Sequence, residues 1–225
     1  MKPDRVSTGS PALDDLLGGG LERGAITQIY GEPASGKSVF CLMATVAVLR
    51  AGYSVVYIDT EGFSVERFAQ IAGGDPGELA ERLYLFEPLD FTQQGTMIAD
   101  TEALLKKTGL APVGLLVMDS ATALYRMELD LGREALRKLS HHMIKLLGLA
   151  RKYEIPVLIT NQIYMDLERD RVAGLGGTAL EHLSKAIVRL EKRDGARRAV
   201  LLKHRSRPEG LSFDFVITGE GIRTL

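Results

Sequence analysis

The chain is organised around one stretch, Gly31-Glu32-Pro33-Ala34-Ser35-Gly36-Lys37-Ser38, which fits the pattern G-x-x-x-x-G-K-[ST] in full. An apolar run, Ala25–Tyr30, precedes it and a helical pattern, Lys37–Arg50, follows it. Glycines 31 and 36 let the backbone curl so that its amides and the helix N-terminus point at a phosphate group. Lys37 would supply positive charge to the β- and γ-phosphates, and the Ser38 hydroxyl would bind Mg²⁺. The stretch therefore predicts a nucleotide site.

Apolar runs alternate with helical patterns over the next two thirds of the chain. The predicted strands are Ala25–Tyr30, Val55–Asp59, Leu83–Glu87, Val113–Asp119 and Pro156–Thr160. The predicted helices are Lys37–Arg50, Val65–Ala72, Gln94–Lys107 and Arg133–Tyr153. This alternation indicates crossover units, so we predict an α/β fold with a mostly parallel sheet covered by helices on both faces.

The pattern changes after Thr178, where three strands follow one another with short turns between them. They are Ala186–Glu191, Ala199–Lys203 and Phe213–Thr218. Consecutive strands joined by short turns predict an antiparallel extension at one edge of the sheet. With no repeat, low-complexity tract or linker between these parts, we expect one domain over residues 1–225.

The composition excludes several classes of protein. Among 225 residues, 45% are hydrophobic and 25% are charged, which is typical of a globular chain and not of a disordered one. The single cysteine, Cys41, excludes an intramolecular disulfide and a cysteine-built metal cluster. No apolar run reaches the roughly 20 residues that a membrane span needs. We therefore expect a cytoplasmic protein with no membrane partner.

Polar residues follow the predicted central strands at the points where these strands end. Asp119 ends one strand, Glu61 follows another closely, and Gln162 comes just after a third. Parallel strands present ligand-binding groups at their carboxyl ends. Asp119 is therefore expected to hold Mg²⁺ together with Ser38. Glu61 would orient or deprotonate the attacking water, and Gln162 would sense the γ-phosphate.

The near-neutral net charge of −1 conceals a basic segment, Arg189–Arg207. Eight of its residues are Lys or Arg and two are acidic, so the segment carries +6 and the remainder of the chain −7. A basic surface on an otherwise acidic protein indicates a polyanionic partner bound on one face. The alternative is a hairpin whose charges simply face water.

Taken together, these motifs resemble those of the RecA/RadA recombinase family, in the family's order. Further matches are Ser7-Thr8-Gly9-Ser10, Leu13–Leu21, Tyr57–Gly62, Asp119-Ser120, Thr160-Asn161-Gln162 and Gly176-Gly177-Thr178. The resemblance implies a RecA-like phosphate-loop ATPase core that binds ATP and Mg²⁺. It implies that Glu61 is the catalytic glutamate and that Lys37 is a second catalytic residue. It also implies that Gln162 is the catalytic-site residue that switches between nucleotide and DNA. It also places Arg67 near the adenine.

Three departures from the family's pattern bear on function. No N-terminal helical DNA-binding domain and no protomer-docking segment is expected before Ser7. The expected second DNA loop, Ile163–Gly177, carries a net charge of −1. A basic stretch, Lys203–Gly210, stands where archaeal recombinases have an acidic segment that caps ATP.

This pattern is similar to the RadB branch of archaeal RadA paralogues. That resemblance implies an ATP- and DNA-binding accessory protein with weak ATPase activity and no strand exchange of its own. The implied partners are DNA, either single-stranded or branched, a RadA-type recombinase and a Holliday-junction resolvase whose cleavage of branched DNA it regulates. A homodimer and a location at the nucleoid in the cytoplasm would fit this reading.

Three hypotheses follow. In the first, a DNA-repair accessory factor, Lys203, Arg205 and Arg207 contact DNA phosphates with support from Arg197 and Arg198. In the second, a minimal DNA-dependent ATPase recombinase that forms filaments, Lys203 and Arg205 reach a neighbour's γ-phosphate instead. In the third, a RecA-like regulatory ATPase without DNA, the basic surface binds an acidic protein.

Overall fold

The computed structural model describes residues 5–106, 111–166 and 171–225. The strands in these ranges are β1 (Arg5–Val6), β2 (Leu21–Glu22), β3 (Ile26–Gly31), β4 (Ser54–Asp59), β5 (Leu83–Phe86), β6 (Val113–Asp119), β7 (Val157–Asn161), β8 (Ile163–Asp166), β9 (Arg171–Gly174), β10 (Ser184–Arg193), β11 (Ala196–His204), β12 (Ser212–Thr218) and β13 (Gly221–Thr224). The helices there are α1 (Pro11–Leu16), α2 (Lys37–Arg50), α3 (Val65–Ala72), α4 (Pro76–Ala80), α5 (Phe91–Leu105), α6 (Ala123–Met127), α7 (Arg133–Tyr153) and α8 (Gly177–Leu183), with a 3₁₀ turn at Leu129–Leu131.

The main sheet has nine strands in the order β13-β12-β11-β10-β3-β7-β6-β4-β5. The strands from β10 through β3, β7, β6 and β4 to β5 are parallel, whereas β10–β11, β11–β12 and β12–β13 pair antiparallel. The short strands β1 and β2 pair separately, as do β8 and β9. The predicted mostly parallel sheet with an antiparallel C-terminal edge is confirmed.

Two cores lie on opposite faces of this sheet, and β4 shows why its sequence is continuously apolar. Val55 and Tyr57 point to the core beneath α1, α2, α3 and α4, whereas Val56 and Ile58 point to the core beneath α5 and α7. Successive side chains of a strand alternate between faces, so a strand covered on both sides needs apolar residues throughout. This double covering fixes the central strands rigidly and therefore fixes where they end.

The C-terminal strands are anchored to the helix that follows the phosphate loop. Phe40 of α2 makes edge-on ring contacts with Phe213 and Phe215 of β12, at centroid distances of 6.5 and 5.2 Å. Such edge-to-face pairs add about 0.5–1.5 kcal/mol each beyond the apolar area they bury. The antiparallel edge is therefore held close to the start of α2.

The predicted helices Lys37–Arg50, Val65–Ala72 and Arg133–Tyr153 are confirmed residue for residue. Helix α5 begins at Phe91, three residues earlier than predicted, because Asp90 caps it by accepting a hydrogen bond from the Gln93 amide. The predicted last residue, Lys107, lies outside the described residues. None of the described helices combines the length and the hydropathy that a membrane crossing requires.

Candidate nucleotide site

The phosphate loop joins β3 to α2 at the carboxyl edge of the sheet. Gly36 caps α2 with φ at 106°, a left-handed conformation that favours glycine. Gly31 is needed for a different reason: a Cβ there would lie 2.4 Å from the Leu190 carbonyl oxygen of the neighbouring β10. The two glycines that the motif requires therefore have separate physical causes, one conformational and one steric.

Lys37 is buried, with 9% of its surface exposed. Its Nζ donates hydrogen bonds to the carbonyl oxygens of Gly31 and Glu32, at 3.1 and 3.0 Å. Burial lowers the pKa of the ammonium, while the nearby carboxylates of Glu61 and Asp119 raise it. The ammonium is thus held at the loop by groups that phosphate oxygens could replace.

Asp119 ends β6 and is 2% exposed. Its carboxylate accepts hydrogen bonds from the hydroxyls of Thr160 at 2.5 Å and Tyr57 at 2.9 Å, and a third from the Ser38 hydroxyl. Burial raises the pKa of Asp119, and these three hydrogen bonds lower it. Ser38 and Asp119 thus place a hydroxyl oxygen and a carboxylate oxygen side by side. Oxygen ligands are those that Mg²⁺ prefers, so the site fits that ion.

Glu61 and Gln162 are in direct contact although they follow different strands. The Gln162 amide donates to Glu61 Oε1 at 2.8 Å, and its own Oε1 accepts a hydrogen bond from Arg126 Nη1 at 3.4 Å. A cavity of about 140 Å³ is enclosed by these three side chains and the phosphate loop. Its lining residues are Gly31, Pro33, Lys37, Glu61, Arg126, Gln162 and Ile163. The structure therefore brings together the side chains to which the sequence assigned hydrolysis and sensing.

Three residues that support this site were not predicted from the sequence. Tyr57 and Thr160 hold the Asp119 carboxylate from the two strands on either side of β6, and Arg126 approaches from α6. For Tyr57 and Thr160, the sequence feature that could have indicated them was a side chain with a hydroxyl within an otherwise apolar strand. For Arg126, the signal was a basic residue seven positions after Asp119.

Asp59 is a further buried carboxylate at this edge, 5% exposed. Burial raises its pKa to about 6, although the Gly62 amide donates to it at 2.7 Å and lowers it. This hydrogen bond closes the turn that leads from β4 to Glu61. Asp59 therefore helps to place Glu61 without lining the cavity itself.

Asn161 and Gln162 are adjacent in sequence, but the structure separates their environments. Asn161 is buried, accepting from the Thr122 hydroxyl at 2.8 Å and donating to the Leu175 carbonyl at 2.9 Å. A Cβ at Gly174 would lie 2.8 Å from the Asn161 amide nitrogen. Of the two amides, only Gln162 lines the cavity, and Asn161 fixes the backbone beside it.

Arg67 is bound to the turn between β12 and β13. Its guanidinium donates to the carbonyl oxygens of Thr218 at 2.6 Å, Gly219 at 2.9 Å and Gly221 at 3.3 Å. Ile217, just before this turn, is a close neighbour of Gly36 in the phosphate loop. Arg67 of α3 thus holds a segment that borders the loop, and its contact with adenine stays a prediction.

Each basic residue to which DNA contact was assigned has a partner within the chain. Arg197 donates to the Ala34 carbonyl of the phosphate loop at 3.2 Å, and Arg198 makes two bonds to Asp214 at 2.7 and 2.8 Å. The partners of Lys203, Arg205 and Arg207 are the Glu181 carbonyl, the Glu22 carboxylate and the Asp15 backbone. The basic segment is therefore partly neutralised, and its contact with DNA stays a prediction. Residues 167–170 of the expected second DNA loop lie outside the described residues.

Comparisons with known proteins identify the family of this chain. The family model described as Rad51 matches residues 4–224. The DNA repair and recombination protein RadB of Methanoculleus marisnigri is 84% identical over 225 residues, which is the whole of both chains. Its counterpart in Methanococcoides burtonii is 44% identical over 227 residues, covering 99% of each.

A solved structure described as the crystal structure of the RadB recombinase is also similar. It has a TM-score of 0.80 and 41% sequence identity, and the match covers 96% of this chain and 98% of that one. The predicted resemblance to RecA-like recombinases of the RadB branch is confirmed, and the chain belongs to the Rad51 family.

Proposed function

We propose that this protein is an ATP- and DNA-binding accessory factor in DNA repair and homologous recombination, with weak ATPase activity. One observation carries the proposal: the phosphate loop lines one cavity with the bonded pair Glu61 and Gln162, and Ser38 of the same loop is bonded to Asp119. The names of the relatives, DNA repair and recombination protein RadB, support the process. The chain would act as one RecA-like core at the nucleoid in the cytoplasm.

Each residue of the site has a distinct task in binding Mg·ATP. Lys37 exchanges its two carbonyl partners for phosphate oxygens, and the loop amides bind the β-phosphate. Ser38 and Asp119 hold Mg²⁺, which would neutralise charge on the phosphates when bound. Glu61 orients water for attack at the γ-phosphate, as the general base at this edge of the site.

Gln162 connects this chemistry to the part of the chain expected to contact DNA. It directly precedes β8, the first strand of the β8–β9 hairpin, and its amide is bonded to Glu61. A phosphate that competes for this amide would move the start of β8. ATP is therefore proposed to act mainly as a conformational ligand, whose binding changes the affinity for DNA or a protein partner.

The partners of the basic residues favour an accessory factor over a self-sufficient motor. In the motor hypothesis, Lys203 and Arg205 act on a neighbour's γ-phosphate. To reach into a neighbour's site, Lys203 would have to leave the Glu181 carbonyl and Arg205 the Glu22 carboxylate, whereas a DNA phosphate at this surface could be bound by their remaining N–H donors. A cation supplied across an interface accelerates such reactions by several powers of ten. The accessory hypothesis includes no such cation, so turnover should be slow.

Arg197, Arg198, Lys203, Arg205 and Arg207 are proposed to contact DNA phosphates while retaining their partners in the chain. Replacing Lys203, Arg205 and Arg207 by Ala should weaken binding to all sequences alike. The slope of log K against log salt should flatten by about 2, since each lost single-strand phosphate contact contributes about 0.7. A matched control, Lys138, Lys145 and Lys152→Ala on helix α7, removes the same charge from a different element, since Lys203 lies in β11 and Arg205 and Arg207 follow that strand. An equal effect of both triple variants would remove the assignment.

The proposed protein partners are a RadA-type recombinase and a Holliday-junction resolvase, and a homodimer is proposed as the assembly. Cleavage of branched DNA by the resolvase should change when this protein is added with ATP. Sedimentation at several concentrations would show the dimer. If cleavage is unchanged and the protein does not associate with the recombinase, both proposed protein partners would be wrong.

Steady-state ATP turnover, with and without single-stranded DNA, tests the proposal as a whole. We expect slow turnover that DNA changes little, together with measurable nucleotide binding that Lys37→Ala removes. Turnover raised many-fold by DNA, with filaments or rings, would establish the recombinase alternative. Failure to bind any nucleic acid at low salt would leave a regulatory ATPase without DNA.

A further inference from the structure

Arg126 lines the candidate nucleotide cavity together with the phosphate loop, and no predicted role accounts for it. It belongs to α6, whose neighbouring residues Leu124 and Tyr125 are buried, and the Tyr125 ring packs against Phe91 at 6.0 Å. The Arg126 amide also donates to the Thr122 carbonyl at 3.0 Å. The helix is thus fixed beneath an exposed guanidinium that faces the cavity.

The charges around this cavity are arranged to receive an anion. Among the lining residues, the cations are Lys37 and Arg126, and the one carboxylate is Glu61. No described carboxylate lies within ion-pair distance of Arg126, whose recorded side-chain partner is the neutral amide of Gln162. Two positive charges and one negative charge leave the lining with a net charge of +1, which attracts an anion.

The geometry at Arg126 suits a phosphate group in particular. Its bond to Gln162 is long, 3.4 Å, and is the one side-chain hydrogen bond that its five N–H donors make to the described residues. The planar fork of Arg matches phosphate oxygens in pairs and keeps its charge at any working pH. The cavity of about 140 Å³ is several times the roughly 30 Å³ that one water occupies in the liquid.

We propose that Arg126 binds the terminal phosphate of the nucleotide within its own chain, and thereby makes the site prefer a nucleoside triphosphate over a diphosphate. The proposal rests on the proposed nucleotide site and adds a ligand to it. When Arg126 turns to the phosphate, the hydrogen bond from Arg126 to Gln162 Oε1 is lost. The hydrogen bond from Gln162 Nε2 to Glu61 remains. Arg126 therefore links the presence of the terminal phosphate to the position of Gln162.

The test is the affinity for a non-hydrolysable ATP analogue and for ADP, each with Mg²⁺, measured by calorimetry on the full chain. Arg126→Ala should weaken binding of the triphosphate about 10- to 100-fold, the range expected for charge-assisted hydrogen bonds, and leave ADP within twofold. Arg126→Lys should recover part of the loss. Arg133→Ala, which removes an exposed Arg from the start of α7, is the matched control and should change neither affinity.

Equal weakening of both nucleotides by Arg126→Ala would overturn the proposal, because it would indicate a structural role. A second result would also overturn it: the ratio of the two affinities stays unchanged, while single-stranded DNA binds more weakly in the absence of nucleotide. Arg126 would then bind a phosphate of DNA and not of the nucleotide. If the unsubstituted protein bound neither nucleotide, the proposed nucleotide site would fail, and the Arg126 assignment with it.

Discussion

Replacing Tyr57 by Phe tests the support of the Asp119 carboxylate. Both side chains are almost fully buried, and the Tyr57 hydroxyl donates to Asp119 Oδ2 at 2.9 Å. Burial and the adjacent Asp119 raise the pKa of Tyr57 well above its ordinary value, so the hydroxyl keeps its proton. A hydrogen bond to a charged group contributes about 1.5–3 kcal/mol. We expect the variant to lose that amount of unfolding free energy at neutral pH.

The loss should depend on pH because the bond is strengthened by the charge on Asp119. Burial already raises the pKa of this carboxyl, and loss of the Tyr57 hydrogen bond would raise it further. Once Asp119 is protonated, the hydrogen bond is a neutral one and contributes only about 1 kcal/mol. The difference between the unsubstituted protein and Tyr57→Phe should therefore shrink as the pH falls.

The assay is urea unfolding at a series of pH values downward from 8, with thermal unfolding as a second reading. At about 2–4 °C per kcal/mol for a chain of this size, the expected fall in Tm is about 3–12 °C at pH 8. Tyr84→Phe is the control, since that half-buried hydroxyl makes no hydrogen bond among the described residues. Equal losses for the two variants, or a loss in Tyr57→Phe that stays constant across the pH series, would contradict a hydrogen bond strengthened by the charge on Asp119.

Three further predictions concern the surroundings of the site. Burial lowers the pKa of His142 to about 4 from 6.5, so stability is lost as the pH falls from 6.5 to 4, by up to about 3 kcal/mol at 1.36 kcal/mol per pH unit. His142→Gln should lack this loss in urea titrations. Asp59 contributes in the opposite direction, because its raised pKa makes stability fall as the pH rises from 3.8 to 6. Both proteins share that contribution, so it cancels when their stabilities are subtracted. Gly174→Ala should destabilise by about 1–3 kcal/mol in the same assay, because its Cβ would press on the Asn161 amide at 2.8 Å; an unchanged midpoint would contradict this. Arg67→Ala should increase hydrogen exchange at the turn between β12 and β13, where it holds three carbonyls, while exchange in β6 stays the same; a uniform change would contradict it.

The fold and the centre of the site were predictable because their signals are local. The phosphate-loop motif lies between its strand and its helix, and its structure depends on residues close in sequence. Asp119, Glu61 and Gln162 were predictable for a topological reason, since neighbouring parallel strands end at the same edge of the sheet. The contact between Glu61 and Gln162 follows from the observed strand order, in which β6 lies between β4 and β7.

The remaining contacts depend on long-range packing that a single sequence does not display. Arg205 reaches Glu22 across 183 residues and Arg207 reaches Asp15 across 192, so a segment interpreted as a free basic surface is held to the N-terminal turn. The approach of Arg126 to the cavity depends on how the five-residue helix α6 docks on α5 and α7. Such a short helix has too little periodicity to be predicted from its sequence.

The most direct test of the account is whether bound nucleotide changes the affinity for DNA. The measurement is the Kd of a labelled single-stranded oligonucleotide at one salt concentration, with no nucleotide, with Mg·ADP and with Mg²⁺ plus a non-hydrolysable ATP analogue. The account predicts that the triphosphate shifts Kd by about tenfold, within the 5- to 150-fold range of ordinary coupling. It also predicts that Gln162→Ala abolishes the shift while the nucleotide still binds. One Kd shared by all three states, with nucleotide demonstrably bound, would contradict it.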